Sequence, residues 1–525
     1  MHDTTSSLSS LSGSATPRTS AVVLATAAAT TLRCHEGTLL DRLTGQLSEL
    51  AVEDVHVVGG SGDVVHASGG ACATGSEGSR GIADDLRRIA RVARGSAGPV
   101  AVLAGDLVAH TEALAELLDH PARGTGAIVA TGGAPEGPLR PPVRVEDGRV
   151  VSAGSSFHQV TGANGTFRGV LRVGEADLGG LAATAEHLAE LAEAGFLGRV
   201  DGSEAGHLLL VGLVRSGVAV RAAGTGELHC DRVAGQVAAE VALARMAEAD
   251  VTGARLDAAI KRDDGFFTTY FVSSWSRYPV ALAAWLRLTP NAVTGMSVGL
   301  AVLAAVWFSA GTRAAMIAGA VLFYLSFVLD CVDGQLARYT RVFSPLGSWL
   351  DATSDRVKEY AVYAGLAAGY AVTAGPGAPA REIWALATGA MILQALRHMI
   401  DFSYDGARSD AVRARAARPA AAVPLTARAD TGSSLVPAQA PPLGDSAGPG
   451  TGETGAVARL SRRLERDAFT RWLKKIVILP IGERTALIAV TAAVSDARVT
   501  FAALIGWGGL AGLYTLAGRM GRSLA

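Results

Sequence analysis

Residues 314–338 read AAMIAGAVLFYLSFVLDCVDGQLAR, sixteen residues without a charge followed by Asp330, Asp333 and Arg338 in quick succession. An uncharged run close to the ~20 residues that take a helix across the hydrocarbon of a bilayer predicts a membrane span. Ionisable groups at its end are costly so near lipid and point to function. Working outward, similar runs place further spans at about 291–310, 352–372, 382–402, 477–496 and 499–517, making six. Arg313, Arg381 and Arg498 are the basic residues of the loops on one side, whereas 403–475 carries twelve Arg and Lys on the other. That asymmetry places 333–351, 403–476 and everything before the first span on the cytosolic side of the cell membrane. The chain is read as an α/β soluble head followed by an all-α integral membrane body. A formal net charge of -1, from 47 basic and 48 acidic residues, gives no argument for a nucleic-acid partner, and none is expected.

The charged end of the second span continues as Asp330-Cys-Val-Asp333-Gly334-Gln-Leu-Ala337-Arg338, and then, after eight residues, Gly347, Asp351 and Asp355. Residues three or four apart share a helix face, so Asp330 with Asp333, and Asp351 with Asp355, form two carboxylate pairs. The short 339–350 connection lets those pairs confront each other. Four carboxylates so close repel unless cations lie between them. Hard oxygen ligands suit Mg²⁺ or Mn²⁺, which also bind substrate phosphates. Two such ions can clamp the attacking and leaving oxygens of a displacement at phosphorus. Gly334 and Ala337 are small enough to let a nucleotide lie on the helix, and Arg338 offers a fixed charge to a diphosphate.

The pattern D-x2-D-G-x2-A-R-x8-G-x3-D-x3-D is complete here and resembles the signature of the CDP-alcohol phosphatidyltransferase family. The resemblance implies that Asp330, Asp333, Asp351 and Asp355 bind metal, with two ions in the family's manner. It implies that Asp355 also serves as general base on the acceptor hydroxyl, with CMP leaving. Pro290-Asn291-Ala-Val-Thr294 matches the family's opening to the first span, and Ser344 its small hydroxyl residue. Asn291, Thr294, Gly334, Ala337, Arg338, Ser344 and Gly347 are then expected to contact the CDP-alcohol donor. The expected activity is metal-dependent transfer of a substituted phosphoryl group from CDP-diacylglycerol to a small polar acceptor alcohol in phospholipid synthesis. CDP-inositol is the alternative donor, and a non-catalytic membrane scaffold or transporter the alternative of another class. The family also implies a homodimer. Glu483 and Arg484, in Pro480-Ile-Gly-Glu-Arg484, are candidates for the acceptor or a mutual ion pair. Arg397, His398 and Asp401 are expected to make a local polar contact.

Over 21–250 short apolar runs alternate with helical stretches: Ala21–Ala25, 38–50, Val55–Gly59, 81–94, Val100–Leu103, 111–119 and Ala127–Ala130. This rhythm predicts βαβ units around a mostly parallel sheet. The head resembles the sugar-phosphate nucleotidyltransferases, with Val100-Ala-Val-Leu-Ala-Gly-Asp106 matching a strand that ends in a metal-binding aspartate. Their phosphate loop is A-A-G-x-G-T-R-L, and here it reads Ala25-Thr-Ala-Ala-Ala-Thr-Thr-Leu32. Glycines let backbone N–H groups approach phosphate without a Cβ between, and both are lost. No lysine occurs from 21 to 260. The head is therefore expected to be a degenerate, non-catalytic nucleotidyltransferase. The two-part layout resembles enzymes that join an inositol-phosphate cytidylyltransferase to a synthase of di-inositol phosphodiesters.

Between these parts, residues 1–20 are expected to be a disordered leader and 405–455, rich in Ala, Pro, Gly and Ser, a disordered cytosolic insertion. The aromatic-rich 261–290 predicts an interfacial juxtamembrane helix, and 456–475 a basic amphipathic helix on anionic lipid. The membrane domain proper comprises 291–404 and 470–518. Cys34, Cys72, Cys230 and Cys331 show no metal-ligand spacing and are expected to be reduced.

Overall fold

The computed structural model describes residues 18–35, 37–59, 72–73, 79–119, 124–132, 137–156, 158–198, 200–260, 265–375, 378–416 and 468–524. Two compact units emerge, one running to Ala254 and the other taking in Arg255–Asp410 and the residues from Ala447.

The first unit is an α/β domain. Its nine-stranded sheet has the order Cys72–Ala73, Val52–Val58, Thr19–Leu24, Val100–Ala104, Gly165–Val173, Gly126–Thr131, Arg221–Ala223, Arg149–Ala153 and Pro142–Glu146. The first four strands are mutually parallel and are linked by helices Leu39–Ser48 and Ile82–Gly95. Thr38 and Asp41 close a reciprocal capping box at the start of the first of these helices. Alternation along Thr19–Leu24 sends Ala21 and Val23 into one core and Val22 and Leu24 into another, so both faces of the sheet are covered. The expected mostly parallel sheet holds for this half, and beyond it, among the described residues, only Arg221–Ala223 and Gly126–Thr131 pair in parallel. Gly165–Val173 runs antiparallel to both neighbours. Further along, Pro142–Glu146 returns directly as Arg149–Ala153 through Asp147 and Gly148, both at positive φ (48° and 72°). Such a two-residue turn matches strand twist and forces antiparallel pairing. The first strand begins at Thr19, inside the expected leader.

The second unit is helical. Thr289, Thr312 and Ser344 cap the helices Pro290–Ser309, Arg313–Thr340 and Pro345–Ala374 by accepting from backbone N–H groups in their first turns. The helices Ala378–Ala416, Ala468–Ile478, Ile481–Val494 and Ala497–Leu524 follow. Helix therefore continues to Ala416, past the point where the disordered insertion was expected to begin. The rest of that insertion and residues 456–467 of the basic helix lie outside the described residues.

Four helices among the described residues are long and apolar enough to cross a membrane: Pro290–Ser309, Arg313–Thr340, Ala380–Tyr404 and Ala497–Gly521. The other two expected spans differ for identifiable reasons. Pro345–Ala374 has 30 residues, but Asp351, Asp355, Arg356, Lys358 and Glu359 load its first half with charge. The span expected at 477–496 is broken, because Pro480 has no N–H to continue a helix and Leu479 takes a left-handed φ of 52°. Ile481–Val494, with 14 residues, is then only about 21 Å long.

Close approach between helices depends on two glycines. A Cβ at Gly365 would stand 2.8 Å from Ala305 Cα, and one at Gly369 would strike the Phe308 carbonyl and lie 3.0 Å from Gly311 N. Small residues four apart let the Pro345–Ala374 backbone lie against Pro290–Ser309. At one end of the bundle Arg313 donates to the Val494 and Ser495 carbonyls, at 2.8 and 2.9 Å, and Arg498 pairs with Glu382. The other end holds the acidic residues.

Candidate active site

The Arg313–Thr340 helix ends where Arg341 adopts a left-handed φ of 57°, and its Tyr339 carbonyl accepts from Arg255 at 2.7 Å. The chain then re-enters helix at Pro345, which brings Asp330 of the first pair to Asp351 and Asp355 of the second. Ligand oxygens of Asp330, Asp351 and Asp355 all lie within 4.8 Å of one another. Asp333 stands apart from that group. Its Oδ2 accepts from Thr294 Oγ1 at 2.5 Å, fully buried. Thr294, expected to touch a donor, thus holds an acidic side chain and also donates to the Pro290 carbonyl.

The remaining donor-side residues group on the same side. Ser344 accepts from Gly347 N at 2.8 Å, and a Cβ on Gly347 would meet Ser344 Oγ at 2.8 Å and Asn291 Oδ1 at 3.1 Å. Gly334 is not required by packing: a Cβ there would meet only the Arg338 guanidinium, at 3.6 Å or more. The helix face bearing Gly334 and Ala337 is accordingly open beside a fixed positive charge, whose Nε is anchored on the Ala259 carbonyl at 2.5 Å.

The pair Glu483 and Arg484 separates. Arg484 is buried and donates to Glu359, at 3.0 and 3.4 Å, and to the Leu479 carbonyl. Glu483 accepts from Phe267 N at 3.3 Å on another side. Among the described residues, Arg397, His398 and Asp401 do not hydrogen-bond to one another. Asp401 reaches across to Arg519 at 2.6 Å, Arg397 donates to the Ile478 carbonyl at 2.8 Å, and His398 lies 2.9 Å from Gln394. The helix break at 479–480 explains these choices, since it strands the carbonyls of Ile478 and Leu479 in a low-dielectric interior and the two arginines satisfy them.

A cavity adjoins the carboxylates. Its lining includes Asp330, Asp355, Lys358, Glu359, Arg484 and Thr485, closed on the apolar side by Phe323, Phe327, Ile481 and Ile488. Lys358, Glu359 and Tyr363 escape a reading based on the motif. A signal for two of them is present in the sequence, because 358 and 359 fall three and four residues after Asp355 and so share its helix face. Tyr363 donates to Glu359 at 2.8 Å, one turn further on.

In the first unit Asp106 follows the Val100–Ala104 strand as expected, but its partner is internal. Arg232 binds it through Nε and Nη2, at 2.7 and 2.8 Å, with both side chains buried. Arg232 Nη1 donates to the Ser203 carbonyl at 3.2 Å and to His207 Nε2 at 3.0 Å. Burial, and then the neighbouring guanidinium, pushes His207 down to about 3, so the ring is neutral and can accept. The stretch 25–32, expected to be an altered phosphate loop, turns back on itself at Ala28–Thr31, where Thr30 and Thr31 donate to the carbonyls of Ala27 and Ala28. Cys230, beside this network, is a free thiol pushed up to about 12 by burial.

Residues 287–427 match the family model of the CDP-alcohol phosphatidyltransferases, and the match falls on the helical unit. Over 50 residues the chain is 46% identical to an archaetidylinositol phosphate synthase of Aeropyrum pernix, a match covering 10% of this chain and 26% of that protein. The chain thus spans about a quarter of the length of the curated relative it matches. Among solved structures, an inositol-1-phosphate CTP transferase from T. maritima aligns over 45% of this chain and 96% of its own, with 16% identity and a TM-score of 0.32. A 4-diphosphocytidyl-2C-methyl-D-erythritol synthase aligns over 44% and 99%, with 15% identity and a TM-score of 0.29.

Proposed function

We propose that the helical unit transfers a substituted phosphoryl group from a CDP-alcohol, in first place CDP-diacylglycerol, to the hydroxyl of a small polar acceptor, releasing CMP in phospholipid synthesis. The observation that carries this reading is the convergence of Asp330, Asp351 and Asp355 at the charged end of an apolar helix, with Asp333 one turn away.

The donor set fits a hard divalent cation: grouped carboxylate oxygens, partly withdrawn from water, that already draw an ammonium group between them. Asp330, Asp333, Asp351 and Asp355 would hold Mg²⁺ or Mn²⁺, two ions in number, which when bound supply charge stabilisation to a diphosphate and its leaving oxygen. Asp355 borders both the carboxylate cluster and the cavity. From there it takes the proton of an acceptor hydroxyl as the new oxygen–phosphorus bond forms and the bond to CMP breaks. Arg338 and the open face at Gly334 and Ala337 seat the diphosphate. Asn291, Ser344 and Gly347 shape the same side.

The acceptor is anionic in this reading. Arg356, Arg397 and His398 surround Arg484 closely enough to interact electrostatically, and Glu359 is the carboxylate paired with that guanidinium. Arg356 Nε and Arg397 Nη1 are buried without a hydrogen-bond partner among the described residues. Buried guanidinium nitrogens with unused donors favour a phosphate-bearing polyol. The Aeropyrum relative is named for a product containing inositol phosphate, which agrees. The body is further read as six helices in alternating direction, with the active site and the head on the cytosolic side of the cell membrane.

The test is CMP release by the full chain in detergent, with CDP-diacylglycerol or CDP-inositol offered against inositol, inositol 1-phosphate, glycerol 3-phosphate and serine. Metal-dependent release with CDP-diacylglycerol and a phosphorylated polyol is expected. Release with CDP-inositol alone would move the donor to the second reading, and no release with any pair would favour a scaffold or transporter. Asp351→Asn should remove turnover with the protein still folded. Asp355→Asn should slow turnover about 10²–10⁴-fold while donor binding persists, and parallel loss of donor binding would make Asp355 a ligand only.

A further inference from the structure

Lys358 is the cation that the acidic cluster already holds. Its Nζ donates to Asp330 Oδ1 and to Ser297 Oγ, the latter at 3.2 Å, and stands 3.1 Å from Asp355 Oδ1. The side chain is 7% exposed, so solvent does little to disperse its charge. Ser297 is itself fixed, donating to the Ser326 carbonyl at 2.9 Å while Ser326 Oγ donates back to the Ser297 carbonyl at 2.8 Å. Two of the three carboxylates that converge on one point therefore already share one positive charge from within the chain. A divalent ion bound by Asp330, Asp351 and Asp355 would claim the same oxygens. An ammonium and a divalent cation a few ångströms apart repel strongly in a medium of low dielectric, so both cannot keep these partners.

We propose that Lys358 is a built-in placeholder cation: it holds the carboxylates together before metal arrives, and metal loading is an exchange in which the ammonium leaves Asp330 and Asp355. The inference rests on the proposed reading of the site as a metal centre, and adds that this chain's affinity for metal is set by an internal competitor. The space that can receive the displaced ammonium is the cavity that Lys358 already lines with Glu359 and Arg484. Lys358 is a positioning residue here, since it acts through the carboxylates.

The chain contains four lysines, Lys261, Lys358, Lys474 and Lys475, which makes the displacement directly readable. Full-length protein in detergent is labelled briefly with an amine-reactive acylating reagent, with EDTA or with Mn²⁺, and peptides are quantified by mass spectrometry. Labelling at Lys358 should rise severalfold with Mn²⁺, with Lys261, Lys474 and Lys475 as internal references. In parallel, Mn²⁺ binding is measured by the electron paramagnetic resonance of the free ion. Lys358→Gln should tighten binding about tenfold or more by removing the competing charge, lower the melting temperature in EDTA, and regain it on Mn²⁺ addition. Lys358→Arg should keep the wild-type affinity or weaken it. Stoichiometric Mn²⁺ binding with unchanged Lys358 labelling, or with equal affinity in wild type and Lys358→Gln, would overturn the proposal and leave the metal centre standing. Absence of Mn²⁺ binding in both proteins would instead overturn the metal centre. The labelling arm uses the unmodified chain and remains decisive even if Lys358→Gln does not fold.

Discussion

Thr294 shows how a residue's work can differ from what its motif position suggests. Its hydroxyl lies 2.5 Å from Asp333 and fixes the orientation of that carboxylate. Partners that orient metal ligands typically matter about 10–100-fold in affinity or activity. Thr294→Val should therefore raise the Mn²⁺ concentration needed for half-maximal CMP release by about that factor, whereas Thr294→Ser should not, and equal effects of the two would deny the hydroxyl its role. His207 supports a prediction of another kind. Its folded value of about 3 lies below the ordinary 6.5, so the unfolded chain binds the extra proton between those values. The stability contributed by the neutral ring is complete above about pH 6.5 and is lost as pH falls through that window towards 3, at up to about 1.4 kcal/mol per pH unit. His207→Gln keeps an acceptor for Arg232 and does not titrate there. Protection factors against hydrogen exchange in the Thr19–Leu24 and Val100–Ala104 strands should fall less between pH 7 and 4.5 in this variant than in wild type. The convergence of Asp330, Asp351 and Asp355 was legible in sequence because spacing assigns them to two facing helices, whereas the turn of Asp333 to Thr294 was not. Arg519 as the partner of Asp401 was not, since nothing local links residues 118 positions apart.

At the level of elements, the parallel half of the head could be read from the alternation of apolar runs and amphipathic stretches, and its strand and helix positions agree within a few residues. The antiparallel half could not, because its topology depends on one turn at Asp147 and Gly148 and on pairing distant in sequence. In the body, hydropathy located the apolar helices but passed over the break at Leu479 and Pro480. A window of twenty residues averages across a proline. Contact between helices makes a sharp comparison possible. Gly369→Val would drive a side chain into the backbone at Phe308 and Gly311, with a destabilisation of about 1–3 kcal/mol or more. It should lower the melting temperature in detergent and reduce turnover, because the same helix carries Asp351 and Asp355. Gly299→Ala, where nothing lies within 4 Å, should leave both unchanged. Equal behaviour of the two variants would show that the glycine contact does not position the site.

For the whole molecule, the sequence joins an α/β head to a helical body, and the head is expected to perform no chemistry of its own. Beyond the lost glycines of the phosphate loop, Arg232 fills both oxygens of Asp106. Full-length protein carrying Asp351→Asn, in which the body is silent, should release no pyrophosphate from CTP with Mg²⁺ and inositol 1-phosphate or other sugar and alcohol phosphates. Sustained release would restore the head as an enzyme and favour CDP-inositol as the donor for the body.

The guanidinium on Asp106 also has a physiological consequence. A buried carboxylate neutralised by the chain itself needs no metal ion beside it, so the head's core around Asp106 should hold without magnesium. The body differs under the proposed metal centre, where turnover should rise and fall with the cell's magnesium supply. Under magnesium starvation such a cell would accumulate intact but idle protein rather than degraded protein, and restored magnesium would return activity without new synthesis.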